Sequence, residues 1–220
     1  MLKKSIHFLS AISLLLLTAS CAFPYYKPYQ PEISVPPGYA IVISKIQLSP
    51  KIVKKFEGNF KQIGTNLPKD GEIAMFTNPN IEKPLRKSVV NPIPLVGTKQ
   101  MNISYDDFSY HIMPVGTHYL RYGLLTYGSY NCGTSGSVGT GTRGHTCSRE
   151  LRVFGDVKFE VPENTKAVYI GTLSYEHDGE MSSKVTVKDE SGKLKKALKK
   201  VKGINGRDVK KSLGKVIRQY

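Results

Sequence analysis

A series of short β-branched and aromatic runs, most of them closed by Gly, Pro or Asn, constrains this chain more than any other feature. Tyr39–Leu48 (Tyr-Ala-Ile-Val-Ile-Ser-Lys-Ile-Gln-Leu) opens it, and Glu72–Thr77 is a shorter example. Phe108–Met113, His118–Tyr127, Leu151–Phe154, Val157–Val161, Lys166–Tyr175 and Lys184–Lys188 continue it. Such runs read as strands. Pro114-Val115-Gly116-Thr117, Pro162-Glu163-Asn164 and Asp178-Gly179 read as turns. Closely spaced strands with no intervening helix-length pattern predict an antiparallel β-sandwich. The expected fold class is therefore mainly β, with the sandwich over residues 38–190 and a short C-terminal amphipathic helical segment. Two stretches fit it less well. Lys51–Ile63 reads equally as strand or helix. Asn78–Gly97 holds Pro79, Pro84, Pro92 and Pro94, which leaves little room for a central strand.

Ahead of this domain, Lys3 and Lys4 precede an apolar stretch, Ile6–Thr18, and the small residues Ala19 and Ser20. This layout predicts a secretory signal peptide over residues 1–20. The apolar run is shorter than the roughly 20 residues of a membrane span. Leu17-Thr18-Ala19-Ser20-Cys21 resembles the lipobox of bacterial lipoproteins, with Thr18 where that pattern prefers Leu, Val or Ile. The resemblance implies lipidation of Cys21: diacylglyceryl on its thiol, cleavage before it, and acylation (palmitate) of the new amino terminus. Ala22 in place of Asp implies the outer membrane, facing the periplasm or the surface. An ordinary signal peptide cut near Ser20 or Ala22 is the plainer alternative. Residues 21–37 follow as the lipidated cysteine and a tether with five prolines, expected to be extended and unpacked. At about 3.1 Å per residue it would hold the domain roughly 50 Å from the lipid. Tyr25, Tyr26 and Tyr29 would either recognise a partner or lie along the domain surface or the membrane interface.

The chain has three cysteines. With Cys21 acylated, Cys132 and Cys147 remain as an even pair, which an oxidising compartment would join as a disulfide. His145 beside them offers a competing reading, a three-ligand metal site that needs the same sulfurs. Between them, Gly139-x-Gly141-x-x-Gly144 matches a dinucleotide fingerprint literally, but no helix pattern follows to receive a pyrophosphate. Gly136-x-x-x-x-Gly141 lacks the lysine of a phosphate loop. The segment reads as a Gly/Ser/Thr excursion at a hairpin end, of the kind that also serves as a partner-binding loop. His111, His118 and His177 read as satisfied or solvated. Asp106, Asp107, Glu176, Asp178 and Glu180 are acidic, but no local nucleophile or metalloprotease signature accompanies them. No catalytic residue, cofactor or metal is expected.

Two further pieces carry a family resemblance. Met113-Pro114-Val115-Gly116-Thr117-His118-Tyr119-Leu120 looks like the hairpin of prealbumin-like and carboxypeptidase-regulatory-like sandwiches. Val161–Gly171, through Ala167-Val168-Tyr169-Ile170-Gly171, is similar to a strand of small β-rich domains in uncharacterised bacterial lipoproteins. Both imply a fold and no activity.

Residues 191–220 hold eleven Lys and Arg against Asp208, so ten of the fifteen net positive charges lie there. Leu194, Leu198 and Val201 recur at helical spacing, as do Val209, Leu213, Val216 and Ile217, with Gly203-Ile204-Asn205-Gly206 between them. The spacing predicts two short amphipathic helices. Their apolar stripes either pack on the sandwich or leave Lys195, Lys196, Lys199, Lys200, Lys210 and Lys211 to meet an anionic surface. Nucleic acid suits the charge but not an exported chain. The sequence thus implies a non-catalytic, membrane-anchored envelope component with a protein partner. Its alternatives are a binder of anionic lipid or lipopolysaccharide through the tail, and, less well supported, a hydrolase. Oligomeric state is not legible.

Overall fold

The computed structural model describes residues 26–51, 72–77, 99–105, 107–135, 143–199 and 201–220, with the backbone alone for 126–149. The strands are β1 (Tyr39–Ser49), β2 (Glu72–Thr77), β3 (Lys99–Ser104), β4 (Ser109–Pro114), β5 (Gly116–Ser135), β6 (Arg143–Val161), β7 (Ala167–His177) and β8 (Ser182–Lys188). One helix, α1 (Ser191–Leu198), and a 3-10 turn (Gly206–Asp208) lead to β9 (Val209–Lys211) and β10 (Lys215–Arg218). The first sheet has the order β4-β1-β7-β8, with β9 also on β7; the second has the order β10-β6-β5-β2-β3. The β-sandwich reading holds, with one refinement. The second sheet is antiparallel throughout. The first is mixed, because β7 pairs in parallel with both β1 and β9.

Strands β1 and β7 are near-continuous apolar runs because both of their faces are covered. Ala40, Val42, Val168 and Ile170 point into the core between the sheets. Ile41, Ile43, Ala167 and Tyr169 point the other way, into a second core closed by Leu194, Leu198 and Ile204. The molecule thus has three layers, with α1 on the outer face of the first sheet. Leu194 and Leu198 are almost fully buried there. Each such burial is worth about 1.5–3 kcal/mol.

Several expectations change. Leu151–Phe154 and Val157–Val161 belong to one strand, interrupted by a bulge. Leu120 lies opposite Val157 and Tyr122 opposite Phe154, so Gly155 and Asp156 together face Arg121. Gly155 has φ +144°, a conformation that suits glycine in a bulged strand. Pro114–Thr117 is a corner where the chain leaves the first sheet for the second, not a hairpin, because β4 pairs with β1 and β5 with β2 and β6. The turn around Asp178 does join a hairpin, β7 to β8.

The helix expected over Val209–Ile217 is instead two strands. Unfilled sheet positions decide this. Ser212 N–H donates to Tyr169 O (2.9 Å) and Gly214 N–H to Ile170 O (2.8 Å), while β9 and β10 each take a ladder on β7 and β6. Val209 and Val216 pack on the two cores, whereas Leu213 and Ile217 are about two-fifths exposed (39% and 40%). A helical stripe would have gathered all four. Residues 209–218 therefore belong to the sandwich, which does not end at residue 190. The expectations for the signal peptide, Cys21, Tyr25, Asp106 and Asn78–Gly97 fall outside the described residues, as does all of Lys51–Ile63 except Lys51.

Candidate functional site

The proline-rich segment is extended, as expected, but from Tyr26 onward it is seated on the domain. Tyr26 N–H donates to Gln100 O (2.9 Å), Ile112 N–H to Lys27 O (3.0 Å) and Tyr29 N–H to Tyr110 O (2.8 Å). The segment thus runs along the outer edge of β4. Tyr26 is buried in the inter-sheet core, edge-on to the His118 ring at 6.3 Å and beneath Lys99 Nζ at 5.0 Å. Burial pushes its phenol pKa up, against a hydrogen bond with Thr77. Tyr29 packs against the helix layer, and its hydroxyl donates to Lys202 O (3.3 Å). Two of the three tyrosines therefore hold the segment to the fold. Proline spacing alone did not reveal this.

The register fixes a polarity. Tyr39 lies opposite Pro114, Gly116 opposite Val161, and Ala167 opposite both Ile41 and Val209. The docked segment, the Pro114–Gly116 corner, the Pro162–Lys166 turn and the Gly206–Asp208 turn therefore gather at one end of the sandwich. The β7–β8 turn lies at the other. From that second end β5 and β6 continue as a ribbon, paired from Thr126↔Glu150 to Ser135↔Arg143. Beyond Leu125 and Leu151 no other strand among the described residues joins the ladder. The expected excursion at a hairpin end is thus largely a regular arm. It extends about 33 Å at 3.3 Å per residue, as far as Ser135 and Arg143. Cys147 sits opposite Tyr130, and a register shift between Asn131 and Gly133 places Cys132 diagonally across from it. The side chains of Cys132, His145 and Cys147 lie outside the described residues.

The basic tail splits into two surfaces. Lys195, Lys196 and Lys199 are exposed on or just beyond α1, while Lys210 and Lys211 are exposed on the edge strand β9; Lys200 lies outside the described residues. Lys211 is committed to Asp189 at 2.9 Å, whose hydrogen bonds from Lys211 and Ser191 hold its carboxyl down to about 2. Lys195, Lys196, Lys199 and Lys210 have no carboxylate partner among the described residues. Because α1 buries its apolar stripe, only its charged face is available to a partner. Glu190, just before α1, ties helix to sheet: it accepts from Lys45 Nζ (3.1 Å), Thr172 Oγ1 (3.0 Å) and Lys193. Burial opposes its ionisation, but these donors prevail and bring its pKa to about 2.

The other titratable candidates are dispersed. His177 Nε2 meets Pro50 O (2.7 Å) and its Nδ1 accepts from Gly179 N–H (3.1 Å). His118 Nε2 meets Pro114 O (2.8 Å), with its ring stacked on Phe159. His111 is buried, and desolvation lowers its pKa to about 4 against a hydrogen bond to the Asn102 backbone. Asp178 accepts from Glu180 N–H and Met181 N–H, both at 2.8 Å. Glu176 pairs with Lys184. Asp107 caps its own turn by accepting from Phe108 N–H. Among the described residues no three His, Cys, Asp or Glu converge as metal ligands, and no helix is long and apolar enough to cross a membrane.

One charged cluster went unforeseen. Asp156, fully buried in the bulge, accepts from Arg121 Nε (2.8 Å) and from the Tyr220 hydroxyl (2.8 Å), with Arg218 Nη1 at 3.4 Å. Arg121 is itself buried. Burial works against its charge, but Asp156 and Tyr220 outweigh this and raise its pKa. The cluster clasps residues 218–220 onto the second sheet. Its sequence signal was weak: an Arg and an Asp inside otherwise apolar strands. Compared with protein-family models, curated proteins and solved structures, the chain matches none of them.

Proposed function

We propose that this chain is a bacterial envelope lipoprotein, anchored in the outer membrane through acylated Cys21 and acting as a non-catalytic binding component. Its β5–β6 arm meets an envelope protein, and a Cys132–Cys147 disulfide ties the arm's two strands. The observation that supports this reading is the polarity of the sandwich. The N-terminal chain leaves at one end, and a ribbon without other strand partners among the described residues leaves at the opposite end. Such a ribbon offers backbone donors and acceptors along its edges, the groups through which extended partners add to a sheet. The test is crosslinking with mass spectrometry in intact cells, comparing the natural chain with one in which Asn-Gly joins Thr126 directly to Glu150. The shortened protein should keep its membrane fractionation and melting temperature and lose its crosslinked protein. Retention of that crosslink in the shortened chain rules out the arm as the binding element.

A second reading, an anionic-lipid or lipopolysaccharide binder, is favoured by one observation: the exposed lysines of α1 and β9 that lack carboxylate partners. It predicts salt-sensitive binding of anionic vesicles that charge reversal at Lys195, Lys199 and Lys210 abolishes.

A further inference from the structure

We propose that the end of the sandwich where the N-terminal chain emerges is a docking face for anionic lipid headgroups, so that the domain stands on its membrane with the arm directed away from it. The proposal rests on the lipid anchor at Cys21.

Leash length carries the argument. Tyr26 is fixed by its amide bond to Gln100 O and by its buried ring. Only five residue steps separate it from Cys21, a reach of at most about 18 Å for a fully extended chain. The 20 residues of β5 alone run about 65 Å at 3.3 Å per residue. An anchor on so short a leash holds the end that carries Tyr26 against the bilayer and keeps the arm tip far from it. The expected 50 Å spacing shrinks accordingly.

The chemistry of that end fits the contact. Lys27, Lys166 and Arg207 are exposed there, and no carboxylate pairs with them among the described residues. Glu32, Glu163 and Asp208 are the exposed acids beside them. Lys199 and Lys210 flank the same end, because Leu198 lies against Gly206 and Val209 pairs with Ala167. The opposite end instead carries Asp178 and Glu180 in the β7–β8 turn, with Lys51 beside them. Each basic residue near an anionic surface adds to the attraction. Tyr39, 41% exposed at the same end, adds an aromatic ring of the kind found at headgroup depth. Neither feature was visible as a surface in the sequence. Lys27, Lys166 and Arg207 are scattered along it, and only the fold brings them to one end.

The test uses the full lipidated protein in phosphatidylethanolamine vesicles with or without phosphatidylglycerol. A photo-crosslinking amino acid replaces either Glu163, at the docking end, or Glu180, at the other. Both positions are exposed turn glutamates. The expected result is a lipid adduct at position 163 at least tenfold above that at 180, larger when phosphatidylglycerol is present. The Lys27→Glu, Lys166→Glu, Arg207→Glu variant should lose the phosphatidylglycerol dependence while keeping its melting temperature. Equal adducts at 163 and 180 in protein that floats with the vesicles overturn the orientation. A phosphatidylglycerol dependence that survives the triple variant overturns the role of these charges. Protein that neither floats nor carries an acylated N-terminal peptide overturns the anchor itself, and the docking face with it.

Discussion

Replacing Asp156 by Ala should be the most damaging single change in the second sheet. The carboxylate is fully buried, accepts hydrogen bonds from Arg121 Nε and the Tyr220 hydroxyl, both at 2.8 Å, and has the Arg218 charge beside it at 3.4 Å. Removing it leaves the Arg121 guanidinium buried without its counter-charge. Loss of one partner from a buried pair costs about 3–5 kcal/mol, a large part of the roughly 5–15 kcal/mol that holds a domain folded. Urea unfolding followed by circular dichroism should therefore show a midpoint far below that of the natural chain, with an unchanged slope. Tyr220→Phe removes only a hydroxyl and should cost about 1 kcal/mol. The double variant Arg121→Met, Asp156→Leu should recover most of the loss, because an apolar pair of similar size has no charge to desolvate. An Asp156→Ala midpoint within about 1 kcal/mol of the natural chain would refute the reasoning: it would mean that Arg121 reaches water once its partner is gone.

Three further outcomes follow from named groups. His111 stays neutral in the fold down to about pH 4, whereas in the unfolded chain it takes its proton near 6.5. Stability should be full above 6.5, fall by up to about 3 kcal/mol as pH drops from 6.5 to 4, and level off below. His111→Met should flatten that limb of the stability–pH curve. Glu190 works at lower pH: its depressed pKa gives stability that is present above about 4.5 and lost as pH falls through about 2. Glu190→Gln should cost about 1–2 kcal/mol at neutral pH, with faster amide exchange in α1, and should match the natural chain below pH 2. Gly155→Ala places a methyl group against Val185 at φ +144°, so it should lower stability by more than about 2 kcal/mol in the same urea titration.

The sequence showed the strands of this fold better than their partners. β2 was legible to the residue and β1 and β7 nearly so, because they are bounded by turn residues and rich in β-branched side chains. That β1 and β7 lie side by side in parallel was not legible: the pairing joins segments well over a hundred residues apart, and no local pattern records it. Residues 209–218 were misread because Val209, Leu213, Val216 and Ile217 are spaced as a helical stripe, and only the vacant edges of β6 and β7 decide for two short strands. That Tyr26 and Tyr29 would lie on the domain was one of the readings, but the edge they are seated on was not legible, for a related reason. Proline announces an extended backbone but not what lies beside it. The arm was half legible: its Gly/Ser/Thr composition pointed to a loop, while the ladder runs on to Ser135 and Arg143. The Arg121–Asp156 pair depends on a bulge that neither strand's alternation predicts.

The bond between the Tyr29 hydroxyl and Lys202 O joins residues 173 positions apart, and β9 fills the position beside the first half of β7. The edge of β7 is therefore complete only once residues near 210 are available. Parallel and long-range pairings of this kind form slowly, since their loops must close before any contact rewards them. For a chain that crosses a membrane as an unfolded thread, as an exported lipoprotein would, this order of events is an advantage. In such a chain the N-terminal strands would have no finished surface to collapse onto during passage, and the final fold would wait for the C-terminal segment on the far side.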